Sequence, residues 1–257
     1  MSLLLVDVGN TRVKWATCEQ GVLASQQAAE HADWGPADWE RRLFGHHDIG
    51  AVVAASVAGG DSKRALVGAA ARRGVKDVRF VESTSQACGV RNAYPDPGLL
   101  GVDRWVAVIG AYHLRGPRAC CVVDVGTAAT IDAVLADGTH LGGFIVPGPH
   151  LMARSLLAGT SDLAAHTEAS RPGRRILYAD NTRDAIERGC RVALASLIDR
   201  AHADLERTSP EVPALVVTGG AATEVLPYVL STVEHVPDLV LRGIACLAAP
   251  EALNSTV

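Results

Sequence analysis

The sequence predicts an α/β protein built from two similar domains, each a mixed β-sheet flanked by helices. Each half of the chain opens with three strand patterns joined by short turns, and helical patterns follow. The predicted strands are residues 2–8, 12–18, 21–28, 119–123, 128–135 and 139–146. The two halves also share a local signature, because "VDVGNTRVK" from Val6 matches "VDVGTAATI" from Val123 about half a chain later. A repeat this long indicates a duplicated domain rather than a solenoid.

The later part of each half supplies the remaining elements of the predicted sheets. These are strands at 51–56, 78–81 and 214–217, and helices at 149–158 and 183–207. We therefore divide the chain into a first domain at 1–117 and a second domain at 118–257. Two such domains are expected to enclose a cleft, and clefts are where small-molecule ligands usually bind.

Composition excludes several functional classes. The 257-residue chain is 48% hydrophobic and 20% charged, which is sufficient for a substantial core and excludes disorder. The formal net charge is -4 and no basic run occurs, so no nucleic-acid partner is expected. The six cysteines have no C-x-x-C pair or zinc spacing, and no segment approaches the ~20 apolar residues of a membrane helix. We expect reduced thiols, no membrane partner and a cytoplasmic location.

The first hairpin, "LLLVDVGNTRVKW" at residues 3–15, has an acidic residue at the end of an apolar strand. The apolar run leads directly into Asp7, and a Gly-Asn-Thr turn follows before the apolar pattern resumes at Val13. Removing a lone carboxylate from water costs several kcal/mol. A positive group near Asp7 is therefore expected.

Both hairpins contain groups that can bind phosphate. The turn glycine can take a positive φ and let the backbone approach a ligand closely. Side chains that can then donate to phosphate oxygens are Asn10, Thr11, Thr127 and Thr130. The carboxylates of Asp7 and Asp124 would hold a cation, and Mg²⁺ suits one or two carboxylates together with substrate phosphates. The alternative is that Asp and Asn are simply good turn residues, but the matched pair favours phosphate binding.

Two other nucleotide motifs are missing from the sequence, and a weaker one is present. The chain has no G-x-x-x-x-G-K-[ST] and no G-x-G-x-x-G after a strand, so P-loop and Rossmann sites are excluded. The segment "LVVTGGAA" at 215–222 is a strand that leads into Gly219-Gly220 and a helix start. Backbone of this kind can lie flat against a planar ligand such as adenine.

The segment "YPDPGLLGVDRW" at 94–105 predicts an irregular loop followed by a helix. Asp103 and Arg104 lie in the first turn of that helix, and the small residues that follow leave one side of it narrow enough for another backbone to pack beside it. Asp103 is a candidate base for an attacking hydroxyl, and Arg104 could bind a carboxylate or phosphate. The alternative is a favourable helix-dipole residue next to a surface ion pair.

Together these motifs resemble those of type III pantothenate kinases, of the acetate and sugar kinase/Hsp70/actin superfamily. The resemblance covers nearly the whole chain in an ordered set of segments: "DVGNTRVKW" at 7–15, "YPDPGLLGVDRW" at 94–105, "DVGTAATID" at 124–132, "GGFIVPGPHLM" at 142–152, "NTRDAIERG" at 181–189 and "VVTGG" at 216–220. It implies two actin-like, ribonuclease H-like domains with an interdomain cleft. It also implies transfer of the ATP γ-phosphate to the primary hydroxyl of pantothenate, giving 4'-phosphopantothenate in the first step of coenzyme A biosynthesis.

The resemblance also implies a role for individual residues. Asp103 becomes the catalytic base, and Asp124 would hold a required monovalent cation, K⁺ or NH₄⁺. The phosphates of ATP and Mg²⁺ would be bound by Asp7, Gly9, Asn10, Thr11 and Lys14 in the first hairpin, and by Gly126, Thr127 and Ala128 in the second. The pantothenate pocket would be lined by Tyr94, Gly101 and Arg104, with Thr182 reaching in from the partner subunit.

The same resemblance implies a homodimer with its sites near the subunit interface. The helix after Pro147 would lie in that interface, although a core helix has the same pattern. Two positions depart from the family: "AGTSDLAAH" after Leu157 lacks an expected Leu-Pro, and Ala179 stands where Gly is frequent. Both concern the shape of the loop at 159–180, and neither touches a proposed catalytic group.

Two other functions stay open at this point. The chain is short for a sugar kinase or chaperone of the same superfamily, and it lacks the zinc-type cysteine cluster of some sugar kinases. A regulatory accessory protein for gene expression is the other alternative, but such a protein has no chemical need for Asp7, Asp103, Arg104 and Asp124. The nine histidines show no paired ligand spacing and are interpreted as solvated or core residues, although His150 could approach the site.

Overall fold

The computed structural model describes residues 2–159 and 177–248. Within those residues the chain forms two larger β-sheets flanked by helices, which confirms the predicted α/β class. The strands are β1 (Ser2–Val8), β2 (Arg12–Glu19), β3 (Val22–Leu23), β4 (Gln27–Glu30), β5 (Ile49–Ser56), β6 (Asp77–Phe80), β7 (Gln86–Ala87), β8 (Val90–Arg91), β9 (Cys120–Val125), β10 (Ala128–Val134), β11 (His140–Pro147), β12 (Ala214–Thr218) and β13 (Glu234–His235). The helices are α1 (Pro36–Phe44), α2 (Gly60–Arg72), α3 (Val102–Arg115), α4 (Pro149–Gly159), α5 (Thr182–Thr208), α6 (Ala222–Val225) and α7 (Leu239–Ala248).

The two larger sheets have the same strand order. The first runs β3-β2-β1-β5-β6, with β4 also paired to β2, and the second runs β11-β10-β9-β12-β13. In each sheet the first strand of the meander is central, the second lies on one side, and a later strand lies on the other. β1 pairs antiparallel with β2 and parallel with β5, and β9 pairs parallel with β12. This shared order supports the predicted duplication.

The first sheet is buried on both faces at its centre. Leu4, Leu5 and Val6 of β1 have no exposed surface, which is typical of parallel strands covered on two sides. Helices α1 and α2 cover one face, where Trp39 and Leu66 join the hydrophobic cluster that contains Leu4 and Val6. Burial of this face holds the end of β1, and with it Asp7, in a fixed position.

The described residues group into two compact units. The first comprises the described residues of 1–118, 134–142 and 238–257, and the second those of 119–133 and 143–237. The division that the sequence predicts at 117 and 118 stays a prediction. The predicted shape of the loop at 159–180 lies largely outside the described residues, since 160–176 are not among them.

Helix α7 packs closely against α3 within the first unit. A Cβ atom on Gly110 would lie 2.5 Å from the carbonyl oxygen of Leu239, and one on Gly243 would lie 1.8 Å from that of Val106. Both positions therefore require glycine. The prediction that another backbone packs beside α3 is confirmed, and that backbone comes from a distant part of the sequence.

The third predicted strand, at 21–28, is wrong in extent. The structure has two short strands there, β3 and β4, because the pairing to β2 slips by one residue between them: Cys18 pairs with Leu23, whereas Trp15 pairs with Gln27. A slip of this kind is a β-bulge, which leaves an extra residue unpaired. Side-chain alternation alone does not reveal it.

Candidate active site

The first candidate group lies at the turn between β1 and β2. Asp7 is directly opposite Lys14 in the antiparallel pair, and Oδ2 of the carboxylate lies 3.7 Å from Nζ of the amine. Their side chains are only 10% and 14% exposed. The expected positive partner of Asp7 is therefore Lys14. Beyond this pair, Asn10 and Thr11 are exposed at the tip of the turn.

The turn glycines do not use positive φ, contrary to the expectation from the sequence. Gly9 and Gly126 are both outside the positive-φ residues of the described chain. Their N–H groups instead close the two turns, Gly9 donating to Arg12 O and Gly126 to Ala128 O, each at 3.0 Å. A Cβ atom would lie 3.1 Å and 3.3 Å from those same oxygens, so tight closure of the turn is what favours glycine.

The second candidate group lies at the turn between β9 and β10. Asp124 is half-buried near the end of β9, and Thr127 and Ala128 are exposed at the turn. The loop before α4 supports this turn, because Gly148 N donates to Thr127 O at 2.9 Å. A Cβ atom on Gly148 would lie 2.1 Å from the oxygen of Gly126, so only glycine allows this approach.

The glycine pair after β12 lies against the same strand end. Gly219 has a φ of +103°, and a Cβ atom there would lie 2.4 Å from both N and O of Val125 and 2.5 Å from Oδ1 of Asp124. Ala221 N donates to Val125 O at 2.9 Å, which fixes the start of α6. A Cβ atom on Gly220 would meet nothing within 4 Å. The two glycines therefore differ: Gly219 is required by packing, and Gly220 leaves open backbone.

The third candidate group lies at the start of α3. Arg104 is 4% exposed, its Nη1 donates to the Tyr94 hydroxyl at 3.0 Å, and its guanidinium carbon lies 5.8 Å from the centre of the Tyr94 ring. Asp103 is half-buried, and its Oδ1 accepts a hydrogen bond from Arg104 N at 2.8 Å. A Cβ atom on Gly101 would lie 2.7 Å from this oxygen, which explains the glycine at the helix start.

The loop before α3 is held by its own side chains. Asn92 Oδ1 accepts from Tyr94 N at 3.0 Å, and Asp96 Oδ1 accepts from Gly98 N at 3.1 Å. Nδ1 of His140, which is 2% exposed, accepts from Ala93 N at 3.4 Å. These bonds place Tyr94 beside Arg104 without a regular strand or helix.

Thr182 is the first residue of α5 and is half-buried. Asn181 caps this helix, because its Oδ1 accepts from Asp184 N at 2.9 Å and its Nδ2 donates to Asp184 Oδ2 at 3.1 Å. The Asn-Thr motif therefore has a local structural explanation for the asparagine.

Three further interactions were not predicted from the sequence. Nε2 of His31 lies 2.8 Å from the carbonyl oxygen of Gly9, in the first turn. Glu224 on α6 binds both His150 at 2.8 Å and Arg191 at 2.9 Å, so the side chain of His150 contacts the helix that follows the glycine pair. Partial burial alone would raise the pKa of Glu224, but the hydrogen bonds from Arg191 and His150 outweigh it and lower that pKa. All these partners are far apart in sequence, and no local pattern identifies them.

The described contacts thus assemble the predicted residues into local groups. Asp7, Gly9 and Lys14 form one in the first unit, and Tyr94, Asp103 and Arg104 form another there. No group of three or more His, Cys, Asp or Glu suited to a metal ion occurs within residues 2–159 and 177–248. Among the helices of this part of the chain, none is long and apolar enough to cross a membrane.

The fold is shared with solved structures of a dehydratase component, a dehydratase activator and a sugar kinase. Component A of (R)-2-hydroxyglutaryl-CoA dehydratase from Acidaminococcus fermentans has a TM-score of 0.55 at 14% identity, over 98% of this chain and 99% of that chain. The activator of 2-hydroxyisocaproyl-CoA dehydratase from Clostridium difficile, with bound ADPNP, has a TM-score of 0.54 at 14% identity, over 99% of this chain and 97% of that chain. The ROK hexokinase from Thermus thermophilus has a TM-score of 0.51 at 14% identity, over 99% of this chain and 100% of that chain.

Sequence comparison gives the family among proteins of this fold. The family model of type III pantothenate kinase matches residues 3–204. A type III pantothenate kinase from Azoarcus sp. (strain BH72) is 39% identical over 98% of this chain and 93% of the relative, and one from Aromatoleum aromaticum is 38% identical over 97% and 99%. The chain belongs to the type III pantothenate kinase family, whose enzymes phosphorylate pantothenate in coenzyme A biosynthesis.

Proposed function

We propose that this chain transfers the γ-phosphate of ATP to the primary hydroxyl of pantothenate through the three groups described above. The observation that carries the proposal is the matched pair of hairpins, each with an aspartate near its strand end and a glycine N–H that closes the turn at 3.0 Å. Each turn exposes a threonine that can donate to a phosphate oxygen. Each turn therefore provides donors of the kind that bind phosphate.

The first hairpin would bind the phosphates together with Mg²⁺. The N–H groups of Asn10 and Thr11 provide donors on the turn that Gly9 closes, and Lys14 provides a positive charge held in place by Asp7. The oxygen donors of Asp7 and Thr11 fit Mg²⁺, which prefers hard oxygen ligands and shares them with substrate phosphates. When bound, this ion would neutralise charge that develops on the transferred phosphoryl group.

Asp103 is proposed as the base. Its carboxylate is oriented by the hydrogen bond from Arg104 N, and the start of α3 favours a negative charge there. Asp103 would accept the proton of the pantothenate hydroxyl as the oxygen attacks the γ-phosphorus. The bond from that phosphorus to the bridging oxygen of ADP breaks, and ADP leaves with the bonding electrons.

Arg104 is proposed to bind the carboxylate of pantothenate. Its guanidinium has five N–H donors, of which one serves the Tyr94 hydroxyl, and burial of the side chain strengthens a charge-assisted bond. Gly101 would let the substrate approach the start of α3, since a side chain there would meet Asp103. Tyr94 would then orient Arg104 and line the pocket.

The second hairpin is also proposed to bind phosphate. Gly126, Thr127 and Ala128 are proposed to contact phosphate, and Asp124 is proposed to hold a monovalent cation, K⁺ or NH₄⁺. A monovalent ion suits a single half-buried carboxylate next to backbone carbonyls. Open backbone at Gly220 is consistent with adenine packing there.

A homodimer is part of the same proposal, with Thr182 entering the pantothenate pocket of the partner subunit. The second unit exposes large apolar side chains on β11, α4 and the segment before α5: Phe144 at 53%, Ile145 at 63%, Leu156 at 46% and Tyr178 at 83%. Apolar surface of this kind marks interaction sites on globular proteins. A cytoplasmic location is also proposed, since the six cysteines are free thiols.

The direct test is ADP release from ATP and pantothenate in the presence of Mg²⁺, with and without K⁺. The native chain should turn over only when both cations are present. Asp103→Asn should lower kcat by about 10²- to 10⁴-fold, because loss of a general base has effects of that size. Equal turnover in Asp103→Asn would remove Asp103 as the base, and turnover independent of K⁺ would remove the monovalent-cation assignment.

A further inference from the structure

His31 follows β4 and contacts the first hairpin across 22 residues of sequence. Its Nε2 lies 2.8 Å from the carbonyl oxygen of Gly9. A carbonyl oxygen only accepts hydrogen bonds, so the ring must donate through an N–H at Nε2. His31 is not a member of the three candidate groups, but its contact with Gly9 joins the first of them to the interior of the first unit.

The His31 ring is held by aromatic neighbours. It lies edge-on to Trp39 with ring centres 5.7 Å apart and to Trp34 with centres 6.4 Å apart. Trp39 is 3% exposed and belongs to the core under the first sheet, and Trp34 packs on it at 5.2 Å. Edge-to-face pairs of this kind fix ring orientation. The position of Nε2 is therefore set by the core and not by the exposed turn.

The bond to Gly9 O controls the direction of the next amide. The peptide between Gly9 and Asn10 is trans, so its C=O and N–H point in opposite directions across one rigid plane. Because His31 holds the oxygen on one side, the N–H of Asn10 is aimed to the other side of the turn. That N–H is one of the donors proposed for phosphate, and Gly9 N is already used to close the turn.

We propose that His31 is a positioning residue for ATP, which fixes the peptide plane between Gly9 and Asn10 so that the Asn10 amide is directed at a phosphate. The inference rests on the proposed function of the first hairpin. Without this bond the peptide plane can rotate, and part of the binding free energy is spent on ordering it. The effect is expected on nucleotide binding and not on pantothenate.

Two substitutions separate the hydrogen bond from the packing. His31→Phe keeps an aromatic ring against Trp34 and Trp39 but has no donor. His31→Gln places an amide N–H close to the position of Nε2 and restores the donor. His46→Phe, at an exposed histidine elsewhere in the first unit, is the matched control. The thermal midpoint of each variant is measured first. The KM for ATP, the KM for pantothenate and kcat are then measured at a temperature well below the lowest of these midpoints.

We expect His31→Phe to raise the KM for ATP about three- to tenfold, the range for loss of one hydrogen bond, with an unchanged KM for pantothenate. The KM for ATP of His31→Gln and of His46→Phe should lie within about twofold of the native value. An unchanged KM for ATP in His31→Phe, or an equal defect in His31→Gln, would overturn the inference. Thr11→Val separates the role of His31 from the assignment of the first hairpin to phosphate. If Thr11→Val raises the KM for ATP and His31→Phe does not, only the role of His31 fails. If neither does, the assignment of the hairpin to phosphate fails as well.

Discussion

Asp7 and Lys14 form a largely buried ion pair across the first hairpin, with 3.7 Å between Oδ2 and Nζ. The pair explains how a buried strand can end in a carboxylate. Removing either charge leaves the other largely desolvated, which destabilises a fold more than removing both. Lys14→Met should therefore lower the free energy of unfolding by about 2 kcal/mol, measured by urea denaturation. The Asp7→Asn/Lys14→Met double variant should recover at least about half of that loss. Strictly additive losses would contradict this account.

The glycine pair after β12 provides a matched comparison. Gly219→Ala requires a side chain at φ +103° and a Cβ atom 2.4 Å from the backbone of Val125. We expect a loss of about 3 kcal/mol or more in unfolding free energy. Gly220→Ala meets open space and should change stability by less than about 0.5 kcal/mol. Similar unfolding midpoints for the two variants would show that Gly219 can relax.

The hydroxyl of Tyr94 should affect one substrate only. Tyr94→Phe removes the acceptor for Arg104 Nη1 at 3.0 Å but keeps the ring. The KM for pantothenate should rise about three- to tenfold while the KM for ATP stays unchanged, because the hydrogen bond that orients Arg104 is lost and the bond of Arg104 to the substrate is kept. Tyr228→Phe, in the short 3-10 turn after α6, is a suitable control. A parallel rise in both KM values would indicate general distortion of the site.

Glu224 should contribute to stability in a defined pH range. Its folded-state pKa lies below the ordinary value of 4.5, so the folded chain binds this proton less readily than the unfolded chain. The stabilisation is fully present above pH 4.5 and is lost as the pH falls through the lower folded-state pKa. The difference in unfolding free energy between native and Glu224→Gln should therefore shrink as the pH falls below that value. The exposed Glu211→Gln is the control, and a pH-independent difference for Glu224→Gln would refute the prediction.

The proposed homodimer, with Thr182 acting across subunits, can be tested by mixing two defective chains. Thr182→Ala should raise the KM for pantothenate, and Asp103→Asn should be nearly inactive. If Thr182 serves the site of the partner subunit, a purified heterodimer of the two has one intact site. It should then show about half of native activity at low pantothenate concentration, since one of its two sites is native. A heterodimer no more active than the Thr182→Ala homodimer would place Thr182 in its own subunit's site.

Local patterns predicted the elements that hold the candidate residues. The hairpin over 2–8 and 12–18 agrees with β1 and β2, and the helix that begins next to Asp103 agrees with α3. These features depend on side-chain period and on turn residues, both of which are written within a short window of sequence. The motifs around Asp7, Asp103 and Asp124 were identifiable for the same reason.

Features that depend on distant pairs were not predictable. The one-residue slip that divides β3 from β4 is set by pairing to β2, and the φ of Gly219 is set by its contact with Val125. The partners of Glu224 and His31 lie on other elements. The sequence around a histidine does not show whether its ring is buried, exposed or hydrogen-bonded to a carbonyl oxygen. The sequence correctly places a glycine in each turn, but the predicted reason, a positive φ, was wrong. Turn closure and positive φ both favour glycine, so the residue type does not distinguish them.

The crossing of α3 and α7 at Gly110 and Gly243 also has a consequence for biosynthesis of the chain. Helix α7 is translated after every residue of the second unit that the structure describes, yet it completes the packing of the first. The face of α3 that packs against α7 is therefore covered only after residues 239–248 have been synthesised, so the first unit finishes folding after the described part of the second unit has been made.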